Sequence, residues 1–118
     1  MVVNPFEFQQ ARVKQVLFKS QLRSMLYGVR EPDAALFSLR DNPVQQWLES
    51  VVKPQFGQQP QVRDIERALQ QMLAAGQGLV ARHGRGQVEE ARAGLQEVNT
   101  YAERIDGLLT ELERGIAA

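Results

Sequence analysis

A seam of apolar residues in the last third of the chain limits its fold more than any other feature. Val88, Ala91, Leu95, Val98, Ala102, Ile105, Leu109, Leu112 and Ile116 follow one another at alternating spacings of three and four. That period keeps one side of an α-helix apolar, and it does not suit a strand, whose side chains alternate every two residues. At 1.5 Å per residue it predicts a single helix about 45 Å long. Glu89, Glu90, Arg92, Glu97, Glu103, Arg104 and Glu111 lie off the seam. A stripe of this length needs a cover, which is either another helix of the same chain or a second subunit.

The same period recurs upstream, punctuated by start and stop signals. Asn4 is placed as an N-cap, Pro5 as the first helical residue and Glu7 as the acid of a capping box. Phe8, Ala11, Phe18, Leu22 and Met25 then form a stripe, with Val16, Leu17 and Leu26 expected to widen it. Gly28 is the stop. Gln15 falls on the seam, where a hydrophobe is expected. A short helix is expected from Pro32 or Asp33 through Ala35, Leu36 and Leu39. Asn42 and Pro43 open a third helix carrying Val44, Trp47, Leu48 and Val51, which Pro54 is expected to end. A fourth starts near Pro60 and carries Val62, Ile65, Leu69, Met72, Leu73, Leu79 and Val80; Gly76 and Gly78 within it read as points of close helix approach or a slight bend. Arg82-His83-Gly84-Arg85-Gly86 reads as the turn into the last helix. The expected architecture is all-α, an antiparallel four-helix bundle with an additional short helix, formed by a single domain over 1–118.

Composition narrows the functional classes. A chain of 118 residues buries roughly two-thirds of its unfolded surface, enough for a core without disulfide or metal staples. Fourteen Lys and Arg balance fourteen Asp and Glu, so the long-range positive field that draws proteins to phosphate backbones is missing and no nucleic-acid partner is expected. There is no cysteine, which removes thiolate ligands and cysteine nucleophiles and fits a reducing compartment. The N-terminal residues lack a signal-peptide pattern, and no run approaches the ~20 apolar residues of a membrane span. The expectation is a cytoplasmic protein with no membrane insertion.

The search for chemistry yields little. No phosphate-cradling glycine loop and no nucleophile elbow is present. His83 is the single histidine, so a multi-histidine zinc or di-iron site is excluded. Arg82, His83 and Arg85 form a candidate anion or partner site, set against the simpler role of capping a helix C-terminus. Asp64, Glu66, Glu89 and Glu90 read as solvated helix faces without a catalytic partner. Phe18, Met25 and Trp47 read as core. The expectation is no enzyme, no catalytic residue, no bound metal and no cofactor.

Taken in order, several features resemble the chemoreceptor zinc-binding (CZB) domain, a bacterial sensory four-helix bundle. Gln15-Val16-Leu17-Phe18-Lys19 stands where that family has a His-x-x-Trp-Lys motif, followed by Leu26 and Gly28 at the helix end. Asn42-Pro43-Val44-Gln45-Gln46-Trp47-Leu48 is similar to its Cys-x-Leu-Gly-x-Trp-Leu signature. After Pro60 and Val62, Leu69-Gln70-Gln71-Met72-Leu73 stands for His-x-x-x-His, and Gly86-Gln87-Val88-Glu89-Glu90-Ala91 matches the step into the final helix. The resemblance covers nearly the whole chain. In the family three histidines and one cysteine hold zinc; here those positions are Gln15, Asn42, Leu69 and Leu73. Leucine cannot ligate zinc and amides are poor substitutes for imidazole and thiolate. The resemblance therefore implies a zinc-free relative whose former site is packed core.

It further implies a non-catalytic regulatory or sensory module of bacterial signalling, of the chemotaxis or cyclic-di-GMP type. Such a module acts as a homodimer and through contacts with a signalling partner such as a chemoreceptor or a diguanylate cyclase output domain. The first and last helices are the expected contact elements. Two other classes stand beside this one. A histidine phosphotransfer protein would carry His83 exposed in mid-helix. A helical adaptor or chaperone would expose an apolar stripe.

Overall fold

Asn4 starts the first helix in the way its position indicates. In the computed structural model its Oδ1 accepts the Phe6 N–H at 2.8 Å and its own N–H donates to Glu7 Oε2 at 2.9 Å, which closes the capping box. The structure describes residues 3–117; Met1, Val2 and Ala118, the ends of the expected domain span, lie outside the described residues. Helix α1 (Pro5–Leu26) ends at Gly28, whose φ of 73° is open to glycine at no steric cost. The Gly28 N–H reaches Met25 O and the Val29 N–H reaches Ser24 O at 2.9 Å, a Schellman closure.

The inner side of α1 is Phe8, Ala11, Gln15, Phe18, Leu22, Met25 and Leu26, all buried. Val16 and Leu17 do not widen it: they are 59% and 53% exposed. At about 100° per residue they sit well round the helix from Phe18 and Leu22, and only one side of α1 meets the rest of the chain.

The short element is a 3-10 turn, Ala34–Phe37, capped by Asp33 through the Ala35 N–H, so Leu39 lies beyond it. Helix α2 (Pro43–Trp47), a π segment (Leu48–Val52) and α3 (Lys53–Phe56) follow without a break. Pro54 therefore does not end this helix. It has no N–H to donate, and its ring crowds the carbonyl four residues back. The preceding turn widens instead, with the Lys53 N–H bonded to Leu48 O five residues back.

Helix α4 (Pro60–Gly84) runs further than expected, taking Arg82, His83 and Gly84 into its last turn. Gly86, with φ 85°, then closes a second Schellman turn. The last helical length is two pieces, α5 (Val88–Ala93) and α6 (Leu95–Ala117), hinged at Gly94. The seam period runs straight through that point and does not record the break. Glycine suits the position, because a Cβ at Gly94 would overlap Leu79 Cδ2 of α4. Gly76 also serves close approach, since a Cβ there would meet Phe37 Cε1 at 3.0 Å and Leu22 Cδ2 at 3.3 Å. Gly78 faces open space instead.

No strand occurs among the described residues. Helix α4 is the central element, packed most extensively on α6 and also on α5, α1 and the 3-10 turn. The seam is covered from within the chain: Ala91, Val98, Ala102, Ile105, Leu109 and Leu112 are buried in the same core as Ile65, Leu69, Met72 and Leu73 of α4. The molecule measures 49 × 21 × 20 Å.

Candidate docking face

The four positions aligned with zinc ligands are all buried: Gln15, Asn42, Leu69 and Leu73. Leu69 and Leu73 are ordinary core of α4. Asn42 caps α2, its Oδ1 accepting the N–H groups of Val44 at 2.9 Å and Gln45 at 3.2 Å. Gln15 makes no bond to it. Its Nε2 lies 3.9 Å from Met72 Sδ, a weak acceptor, and its Oε1 has no partner among the described residues. Phe18 and Phe37 meet edge to face, as do Phe8 and Trp47 with centroids 5.1 Å apart. Among the described residues no group of three or more His, Cys, Asp or Glu is placed to hold a metal.

The tip formed by Arg82, His83 and Arg85 is the C-terminal end of α4. Arg82 and His83 direct their backbone carbonyls into the closing turn, where the Gln87 and Gly86 N–H groups take them up. That end carries the negative pole of the helix, which repels an anion and suits the two guanidiniums as caps. His83 is half-buried and one residue from the helix end. The exposed mid-helix placement that distinguishes a phosphoacceptor is therefore not what this histidine has.

Glu66 is not a solvated acid. Its Oε2 accepts Gln45 Nε2 at 3.0 Å and its Oε1 lies 2.9 Å from Lys53 Nζ, which also holds Glu49. The two carboxylates push the Lys53 ammonium pKa up from its ordinary value, chiefly through the hydrogen bonds to Glu49 and then Glu66. This cluster ties the α2–α3 rod to α4.

The outer side of α1 is different. Phe6, Val13, Val16, Leu17 and Tyr27 are all exposed, although large and apolar. Val13, Val16 and Leu17 adjoin one another on the side opposite the buried stripe, with Phe6 beyond Gln9 and Gln10 at one end and Tyr27, under Arg23 and Arg92, beyond Ser20 at the other. Clefts flank it on both sides. Leu17 and Lys14 look into one, walled by Phe18, Asn42 and Val44. Val16, Lys19, Ser20 and Arg23 line the other, against Leu95, Val98 and Asn99. The signal is present in the sequence, but a single helical period read alone places Val16 and Leu17 on the inner stripe.

Helix α1 is held rigidly enough to present that stripe. Arg12 reaches Glu113 at 3.0 Å and Thr110 at 3.2 Å on α6. At the other end Arg92 Nε donates to Leu26 O at 3.0 Å while its guanidinium stacks over Tyr27, 4.2 Å from the centroid. A cation on the last carbonyls of a helix opposes the local negative charge.

Asp106 of α6 lies near Lys19 and Arg12, half-buried, with Oδ1 unpartnered among the described residues. Burial raises its carboxyl pKa, and Glu103 adds to that, while Lys19 and Arg12 oppose it. A raised folded value means the protonated form favours the fold. That contribution is complete below the unfolded pKa of about 4 and is lost as pH rises through the folded value. Asp106→Asn is therefore expected to match the parent in urea midpoint at pH 3 and to exceed it at pH 7. Equal midpoints at both pH values would remove the burial argument.

Among the described residues no helix is long and apolar enough to cross a membrane. No protein-family model, no curated protein and no solved structure matches this chain.

Proposed function

We propose that the chain is a non-catalytic interaction module, an antiparallel four-helix bundle that works by docking another polypeptide on the outer stripe of α1. The observation that carries this reading is the pair of opposed apolar faces on one helix. A surface helix normally has one apolar side and one polar side, and contiguous apolar surface on a folded chain marks a binding site more often than chance. The seam of α6 offers no comparable surface, because the chain covers it itself. Its outward residues include Gln96, Glu97, Thr100, Glu103, Arg104 and Glu111.

A regulatory role in bacterial signalling, as a zinc-free relative of the CZB domain, is the form of this module that the sequence resemblance favours. Burial of all four aligned positions supports it, since a site that has lost its metal must refill with packed side chains. The function is tested by placing a photo-crosslinking residue at Val13, and separately at Glu103, in the chain expressed in its own host. Adducts to a second polypeptide are expected from Val13 and not from Glu103. Equal yields from both positions, or none from Val13, would sink the docking reading.

A further inference from the structure

Resting on that reading, we infer that the occupant of the α1 stripe is an acidic amphipathic helix and not a second copy of this chain. The charges around the stripe decide between them. Residues Pro5–Leu26 carry four cations, Arg12, Lys14, Lys19 and Arg23, against the single carboxylate Glu7. Glu7 is engaged by the Asn4 N–H in the capping box, and Arg12 by Glu113. Lys14, Lys19 and Arg23 form no ion pair among the described residues. Their places on the helix matter as much as their number. Lys14 flanks the stripe on the side of Leu17, in a cleft it shares with Arg30, Asp33 and Asp41, whereas Lys19 and Arg23 flank it on the side of Val16, in a cleft lined by no acid.

These are the positions that set partner choice when two helices pair side by side, because side chains flanking the seam meet their counterparts across it. Two copies of α1 paired through this stripe would bring cations against cations on both flanks. Glu7 is already occupied, Asp33 and Asp41 stand in the Lys14 cleft and Asp106 lies near Lys19, so the repulsion left unrelieved is that of Arg23 on the Val16 flank. A partner helix with hydrophobes every three and four residues and Glu or Asp beside them meets Val13, Val16 and Leu17 with its apolar side and all three free cations with its carboxylates. From Phe6 to Tyr27 the stripe is about 32 Å long, which accommodates roughly six turns of such a helix. Asp106 of α6 lies near Lys19 and moderates it, and Asp33 and Asp41 share the cleft of Lys14, leaving Arg23 as the principal contact.

The test uses the full chain and two fluorescein-labelled 24-residue peptides with identical Leu and Val seams, one flanked by Glu and the other by Lys. Neither peptide pairs with itself at neutral pH, for the same repulsive reason. By fluorescence anisotropy the Glu peptide is expected to bind at least about tenfold more tightly than the Lys peptide, and to weaken about tenfold between 50 and 500 mM salt. Val13→Asp is expected to abolish binding, and Lys14→Glu with Arg23→Glu to reverse the preference toward the Lys peptide. All three positions are exposed, so these variants should keep the parent's circular dichroism and melting transition. Equal binding of the two peptides, binding that survives Val13→Asp, or binding of neither would overturn the inference. Sedimentation as a dimer that Val13→Asp dissociates would also overturn it, while leaving the docking reading intact.

Discussion

Ile105→Ala is expected to cost about 2–5 kcal/mol of folding stability, whereas Leu17→Ala, the same kind of truncation on α1, should stay within about 0.5 kcal/mol. Both residues lie on stripes of helical period, and only their cover distinguishes them. Ile105 is fully buried in the shared core of α4 and α6, so losing three carbons opens a cavity among neighbours that cannot all close in. Leu17 has solvent around half of its side chain, and its removal leaves no void. Urea unfolding of the two variants, with unchanged m values, is the measurement. A comparable loss in Leu17→Ala would mean that the α1 stripe is already covered in solution, and would point to self-association of the isolated chain.

The second large effect has the opposite sign. Gln15→Met is expected to raise stability by about 1–3 kcal/mol, or roughly 3–5 °C in melting temperature for each kcal/mol. Gln15 is 1% exposed, with only a thioether sulfur near its amide nitrogen and nothing for its oxygen. A buried acceptor left without a donor retains its full desolvation cost, while methionine has nearly the same length and no polar atom to satisfy. Thermal melts of parent and variant read the difference directly. A destabilised Gln15→Met would show that the amide has a partner in solution, such as an ordered water. Asn42 is the contrast: it is buried too, but both of its accepted hydrogen bonds are to backbone at a helix start, so its amide is an asset where that of Gln15 is a cost.

The same contrast bears on the zinc-binding resemblance. If Gln15, Asn42, Leu69 and Leu73 descend from ligands, three of them found other uses or filled space, and Gln15 did neither. Gln15→His, Asn42→Cys, Leu69→His and Leu73→His together then form a direct chemical test of kinship, read as stoichiometric zinc in the folded variant. A folded variant without zinc would count against the kinship and leave the docking face untouched.

How far the sequence goes can be seen helix by helix. Local chemistry determined the element boundaries: the Asn4 and Asn42 caps, the prolines after them, and the left-handed glycines at 28 and 86 all act within one turn of the backbone, so neighbouring residues suffice to specify them. The seam of the last helix was equally legible, because its period is a property of one strand of sequence read alone. The rest was decided between elements. The last helix is interrupted at Gly94, where Leu79 of α4 occupies the space a side chain would need, and no period within 88–117 records that close approach. Pro54 widens the helix instead of ending it, in a rod that Glu66 of α4 ties down through Lys53 and Gln45. Which apolar residues of α1 face inward depends on where α4 and α6 lie, and periodicity marks a stripe without saying what covers it. The sequence by itself determined that there would be amphipathic helices and where they start. Only the tertiary structure decided that the last helix's seam is closed within the chain while α1 keeps an apolar face open, since burial is a relation between surfaces and not a property of either one.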